Sequence, residues 1–356
     1  MNTTDGNPDS RLIELLRFPM MAAVVCIHCN LCPPCPWLER LPLFSSFTYA
    51  FIHIVCSIAN PVFFFIAGFL FFRGGRFSLG VYRQKLRRRL RTLLVPYVAW
   101  TLIYLAIVAL LQTAKPGLQL LLHKPVGQLS ATDFAGLFWN LQQVTHLPTD
   151  QAAPLVTQFW FLQCLMVCVL LSPLVWWGVK WLSVPFVASL GIIAMFDLLP
   201  DCPGLVWAAF FYFAMGAWFS VHNVSLTLFV KQWRYLFYGV MALSAAVAPL
   251  WPPALFLLNI GLLLTVFDVG SRLSERRLRI PQLLTSATFF IFAVHRLFTA
   301  VMTNLPRMGI VRLNTELSAF VYYFMAVTLS LALCVLCYYV MRHTVPRLTS
   351  LLSGGR

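Results

Sequence analysis

The sequence predicts an all-α, polytopic membrane protein of about ten transmembrane helices with both termini in the cytoplasm. Three observations carry this. First, 60% of the 356 residues are hydrophobic and 10% are charged, whereas a soluble domain carries about 25% charged residues. Second, apolar runs of near-spanning length recur from residue 11 to residue 341, with no long polar stretch to fold as a separate soluble domain. Third, Lys and Arg are unevenly placed. With the N-terminus inside, 20 of the 26 fall in cytoplasmic segments; Arg40, Lys115, Lys124, Arg296, Arg307 and Arg312 fall at or beyond the outer boundary. That asymmetry fits an even number of spans. It also accounts for most of the net charge of +15 without a nucleic-acid partner.

The elements follow in order. Residues 1–10, "MNTTDGNPDS", read as a polar cytoplasmic tail. They lack the basic region and small-residue cleavage site of a signal peptide, so the first apolar segment reads as a retained helix. The membrane domain, 11–341, holds spans at 11–31, 50–72, 92–112, 157–179, 182–199, 203–221, 235–250, 252–270, 282–302 and 318–341. Between the second and third lies a basic cytoplasmic loop, 73–91, containing "YRQKLRRRLR". It sets topology, and it also suits anionic lipid or another anion. The outer segment 113–156 is too long for a simple connector and reads as a cover over a site. Residues 342–356 read as a second cytoplasmic tail.

The stretch "VVCIHCNLCPPCP" places Cys26, Cys29, Cys32 and Cys35 at three-residue spacing. An iron–sulfur site needs a backbone that wraps the cluster, and here the first two cysteines belong to a helix that "CPPCP" then breaks. Zinc sites pair separated clusters. Cys56, Cys164, Cys168, Cys202, Cys334 and Cys337 form no convincing second pair. No metal is expected. A disulfide among Cys29, Cys32, Cys35 and Cys202 stays open if the outer compartment is oxidising.

Ionisable groups inside spans are functional by default. Arg17 and His28 lie eleven residues apart in the first span. At 100° per residue they share one face, roughly 16 Å apart along the axis. Glu14 lies one turn before Arg17 and can pair with it. The helix thus offers a cation near its inner end and a base near its outer end. An interfacial Arg–Glu pair with a histidine capping the helix end is the plainer alternative.

"ELLRFPMMAAVVCIHCN" resembles the first helix of the acyltransferase-3 family of integral membrane O-acyltransferases. Glu14, Arg17 and His28 match that family's acidic residue, Arg, ten residues, His pattern, with Glu for the more usual Asp. "NPVFFFIAGFLFF", "YRQKLRRRLRTLLVPYVAW", "FWFLQCLMVCVLLSPLV", "FFYFAMGAWFS" and "TFFIFAVH" resemble later helices of the family in the right order. Two departures stand out. Gln163 and Cys164 replace the Arg-Asp that follows "WFL" in many relatives, and Ala67-Gly68 replaces Ser-Gly. The first puts any acceptor role of that pair in doubt.

The resemblance implies a bacterial surface-polysaccharide acetyltransferase of the stand-alone membrane type, in the cytoplasmic membrane. It takes an acyl group, usually acetyl, from acetyl-coenzyme A inside and delivers it to a hydroxyl of a cell-surface or lipid-linked carbohydrate. Phosphates need arginine forks, and Arg17, Arg73, Arg76, Arg83, Lys85, Arg87, Arg88, Arg89 and Arg91 supply cations for coenzyme A. A sugar hydroxyl needs a base, and His28 is expected to serve. His295, ending "TFFIFAVH", is expected to hold the acceptor or stabilise the oxyanion. His53 reads as structural, and His123, His146, His222 and His343 receive no role. Asp268 and Glu316 sit at span ends, where ion pairing or solvation is expected. The rival class is a transporter or flippase for a glycan or lipid-linked substrate. It would more often show related halves and helices broken at midplane, and none are visible here.

Overall fold

The computed structural model describes residues 7–31, 40–74, 77–114, 122, 125–141 and 153–355. Among these residues the regular elements are helices, and extended pairing is confined to an isolated bridge between Cys202 and Leu205. Helix α1 (Pro8–His28) begins inside the stretch read as a tail. Asn7 caps it, its side chain accepting from Asp9 N at 2.9 Å, and Pro8 takes a first-turn position where no N–H is needed. Helices α2 (Pro42–Phe72) and α3 (Leu79–Ala114) are continuous over 31 and 36 residues. "YRQKLRRRLR" is therefore helical, not a loop. It is built of good helix formers without Gly or Pro and is capped by Ser78, whose Oγ accepts from Val81 N at 3.3 Å.

Helix α4 (Ala131–Trp139) opens on a Ser130–Asp133 capping box. Helices α5 (Thr157–Leu170) and α6 (Ser172–Trp181) meet at 61°, with Pro173 in the first turn of α6. After α7 (Val184–Met195), helices α8 (Trp207–Val221) and α9 (Leu226–Val247) meet at 120°. Asn223 takes the left-handed turn position between them at φ 54. Helices α10 (Ala254–Glu275), α11 (Gln282–Arg307), α12 (Glu316–Thr344) and the short α13 (Pro346–Leu352) complete the chain.

Five of these, α2, α3, α10, α11 and α12, are long and apolar enough to cross a membrane, and up to seven spans result if each bent pair is one. The protein is an all-α, multi-pass membrane protein. The difference from ten spans has local causes. Helix α1 carries Asp9, Arg11, Glu14 and Arg17, the segment 157–179 breaks at Leu171, and α7 has only 12 residues.

The chain divides into two compact units, Met1–Ile66 with Phe219–Thr344, and Ala67–Trp218 with Val345–Arg356. In the first, α1 packs on α10 and α11 around Leu12, Ile13, Phe65, Phe267 and Tyr323, all fully buried. Gly270 lies at the α1–α10 contact, where an added Cβ would meet Leu12 Cδ1 at 2.7 Å and displace that side chain. Asp9, 6% exposed, accepts from Thr227 N (2.9 Å), Thr227 Oγ1 (2.5 Å), Leu226 N (3.3 Å) and Ser225 Oγ (3.3 Å). A carboxylate thus sits on the positive end of α9 and ties α1 to it. Glu316 likewise accepts from Leu43 N (3.0 Å) and Phe44 N (2.8 Å) at the start of α2, a capping role in place of the ion pair or solvation expected. Asp268 is ion-paired, as expected, with Arg272 (2.6 Å) and Arg234 (3.6 Å), and accepts from Tyr238 OH at 2.5 Å.

In the second unit α2 and α8 touch backbone to backbone. A Cβ on Gly68 would stand 2.0 Å from the Phe213 carbonyl oxygen. Trp100 Nε1 donates to Leu352 O at 3.0 Å, which brings α13 back onto α3.

Candidate active site

His28 closes α1, and His295 and Arg296 are consecutive on α11 in the same unit. The two imidazoles lie against each other, centroids 5.0 Å apart and planes at 37°. Arg296 Nη1 lies 3.3 Å from His28 Nδ1. His295 is wholly buried. Its Nδ1 is 3.0 Å from Ile291 O and 2.9 Å from Phe292 O, carbonyls one turn back on its own helix. Its Nε2 is buried with no hydrogen-bond partner among the described residues. Leaving such an atom unpaired costs about 1–3 kcal/mol, so a water or a ligand is expected to meet it. Thr299, one turn further on α11, is also fully buried with its Oγ1 unpartnered among the described residues. The open end of α1 is held by Tyr323, whose OH donates to Cys26 O at 3.0 Å.

Pro19 lies inside α1 between Arg17 and His28 and removes one ladder hydrogen bond, but the helix runs on from Pro8 to His28 as the spacing assumes. Arg17 is half-buried and Glu14 is exposed. Among the described residues the ion pairs are Lys231–Glu275, Arg234–Asp268 and Arg272–Asp268, so the expected Glu14–Arg17 pair does not close. Cys29 is buried, its Sγ 4.0 Å from Ser330 Oγ, and Cys29 and Cys202 carry free thiols. Cys32 and Cys35 lie outside the described residues.

The basic set belongs to the second unit. Arg83, Arg87, Arg88 and Arg91 are exposed, Arg73 and Arg89 are half-buried, and Arg76 lies outside the described residues. Lys85 is already engaged. Its Nζ donates to Phe71 O and to Arg73 O (3.5 Å) and stands 5.3 Å above the Phe71 ring. It caps the C-terminal end of α2, where open carbonyls favour a cation. Gln163 is buried, and its Nε2 donates to Phe138 O (3.1 Å) and Trp139 O (3.0 Å), the last carbonyls of α4. His53, read as structural, is exposed with its ring beside that of Tyr49.

Sequence reasoning finds both imidazoles but misses Arg296 as the partner of His28, and it misses Asp9 and Thr299; it singles out Gln163 but not the hold of that side chain on the end of α4. Arg296 is readable as the neighbour of His295, while its contact with a residue 268 positions away is not.

Comparison with known proteins decides the family. The acyltransferase-3 family model, described as an acyltransferase domain, matches residues 11–339. The chain belongs to the acyltransferase-3 family. This acyltransferase is a multi-pass membrane enzyme, an O-acyltransferase. It is similar to "Succinoglycan biosynthesis protein ExoH" of Rhizobium meliloti (strain 1021), 25% identical over 369 residues that cover 99% of this chain and 94% of the relative. No solved structure matches the acyltransferase.

Proposed function

We propose that the acyltransferase moves an acetyl group from cytoplasmic acetyl-coenzyme A to a hydroxyl of a cell-surface or lipid-linked carbohydrate, in the cytoplasmic membrane of a bacterium. The observation that carries this reading is the meeting of His28 on α1, half-buried, and His295 on α11, buried, with His295 Nε2 lacking a hydrogen-bond partner among the described residues. A sugar hydroxyl is a poor nucleophile at neutral pH. A positioned imidazole that takes its proton in the transition state contributes about 10²–10⁴ in rate. The similarity to a protein named for succinoglycan biosynthesis supports a polysaccharide acceptor.

Arginine forks suit the phosphates of coenzyme A. The exposed Arg83, Arg87, Arg88 and Arg91 of the second unit are the proposed ligands, with Arg73, Arg76 and Arg89 as further members of the set; a donor role for Arg17 rests on the family pattern alone. Lys85 contributes through the end of α2 that it caps. Membrane lipids are the remaining partner.

Membranes from cells with wild type, His28→Ala or no protein would be supplied with radiolabelled acetyl-coenzyme A. Label is expected in the glycan fraction only with wild type, with the variant inserted at equal level. Label equal in wild type and His28→Ala would remove His28 from the chemistry. Wild type indistinguishable from the empty strain, in a host that carries the glycan, would favour transport without acyl transfer.

A further inference from the structure

Resting on that reading, we propose that the two imidazoles divide the work: His295 accepts the proton, and His28 donates a hydrogen bond to the carbonyl oxygen of the acyl thioester. The assignment follows from what each ring nitrogen touches. A guanidinium has only N–H groups to offer, so Arg296 Nη1 donates to His28 Nδ1 across 3.3 Å. The lone pair of His28 Nδ1 is thereby used, and the proton of the neutral ring sits on Nε2. A carbonyl oxygen only accepts, so His295 Nδ1 is the N–H in its contacts with Ile291 and Phe292. The lone pair of neutral His295 then lies on Nε2, the buried atom without a partner among the described residues. One ring presents an N–H and the other a lone pair, with centroids 5.0 Å apart, within reach of one reacting centre. This is the reverse of the expectation from the first helix alone, in which His28 is the base.

The acceptor hydroxyl gives its proton to His295 Nε2 as its oxygen bonds to the thioester carbon. The carbonyl π pair moves onto oxygen, and that oxyanion takes a hydrogen bond from His28 Nε2–H. On collapse the C–S bond breaks, and the leaving thiolate recovers the proton from His295. An alcohol and a thioester thus give an ester and a thiol, and both rings return to their starting state. Arg296 is a positioning residue that fixes the tautomer of His28. Thr299 Oγ1, one turn along from His295, is a second buried polar atom without a partner among the described residues.

The test uses the full chain in lipid nanodiscs with isotope-labelled histidine ring nitrogens. Nitrogen NMR reads each tautomer, and His28→Gln and His295→Gln assign the signals by their disappearance. Nε2–H at His28 and Nδ1–H at His295 are expected in the neutral rings; Nδ1–H at His28 or Nε2–H at His295 overturns the assignment. The same variants are ranked by transfer of radiolabelled acetyl from acetyl-coenzyme A to membrane glycans. A Gln amide replaces the Nε2–H donor but takes no proton. His28→Gln should therefore stay within about tenfold of wild type, and His295→Gln should lose about a hundredfold or more. A level or reversed ranking overturns the division of roles. The tautomers are read without any acyl donor, so an unlabelled wild type indicts the acyl-transfer reading and not this one.

Discussion

Asp9 shows how a residue hides its role in a sequence. It sits among "MNTTDGNPDS", where a carboxylate reads as a solvated charge. Its four acceptor contacts with Ser225, Leu226 and Thr227 depend on a fold that brings together positions more than 200 apart. Asp9→Ala should cost about 2 kcal/mol by stranding those donors, and Asp9→Asn should cost less, because its carboxamide oxygen still accepts. Thermal unfolding of the detergent-solubilised protein checks this; equal melting of wild type and Asp9→Ala would mean that water replaces the carboxylate. His28 and Arg17 are legible because one helix carries both and its period is known. The Arg296–His28 contact is not, because nothing local to either residue encodes which helices become neighbours.

Among the elements, the long apolar helices α2, α3, α10, α11 and α12 are readable from hydropathy and length alone. The basic stretch reads as a loop because its charge suits a cytoplasmic connector. Charge does not stop a helix, and the stretch holds no Gly or Pro to break one. Helix packing is written in single small residues. Gly68→Ala should destabilise by about 3 kcal/mol, since the new methyl meets backbone at 2.0 Å and backbone yields little. Gly239, where an added Cβ would meet nothing within 4 Å, is the contrast at an exposed position of α9. There Ala should be neutral or stabilise by up to about 1 kcal/mol. Fluorescence-detected gel filtration after a heat step ranks the two. On α3, Arg87→Gln with Arg88→Gln should raise the KM for acetyl-coenzyme A about tenfold with kcat little changed, as for uniform loss of phosphate contacts. Initial rates over a donor series measure it. A fall in kcat at fixed KM would assign those arginines elsewhere.

At the scale of the whole molecule, the charge asymmetry predicts that both termini face the cytoplasm. A fluorescent protein fused at the C-terminus through a spacer should therefore fluoresce, and an alkaline phosphatase at the same point should stay inactive. The opposite pair of readings would require an odd number of spans. Fold class, membrane character and family are all legible, because each rests on properties spread over hundreds of residues. The exact span count is not. It turns on local breaks, at Leu171 and between α8 and α9, whose angles of 61° and 120° no hydropathy window records.

The last residues bear on how this protein is handled. Leu352 and Ser353 are buried, Trp100 donates to the Leu352 carbonyl, and Gly354 at φ +71 leaves its Cβ position 2.5 Å from Thr92 O. Trimming the chain at Val345 to tidy an expression clone would strip a plug from around Trp100 and Thr92. An affinity handle joined directly to Ser353 would push against the same wall. Purification yield should thus depend on a few residues of slack placed after Gly355, a detail of cloning set by the packing of an indole.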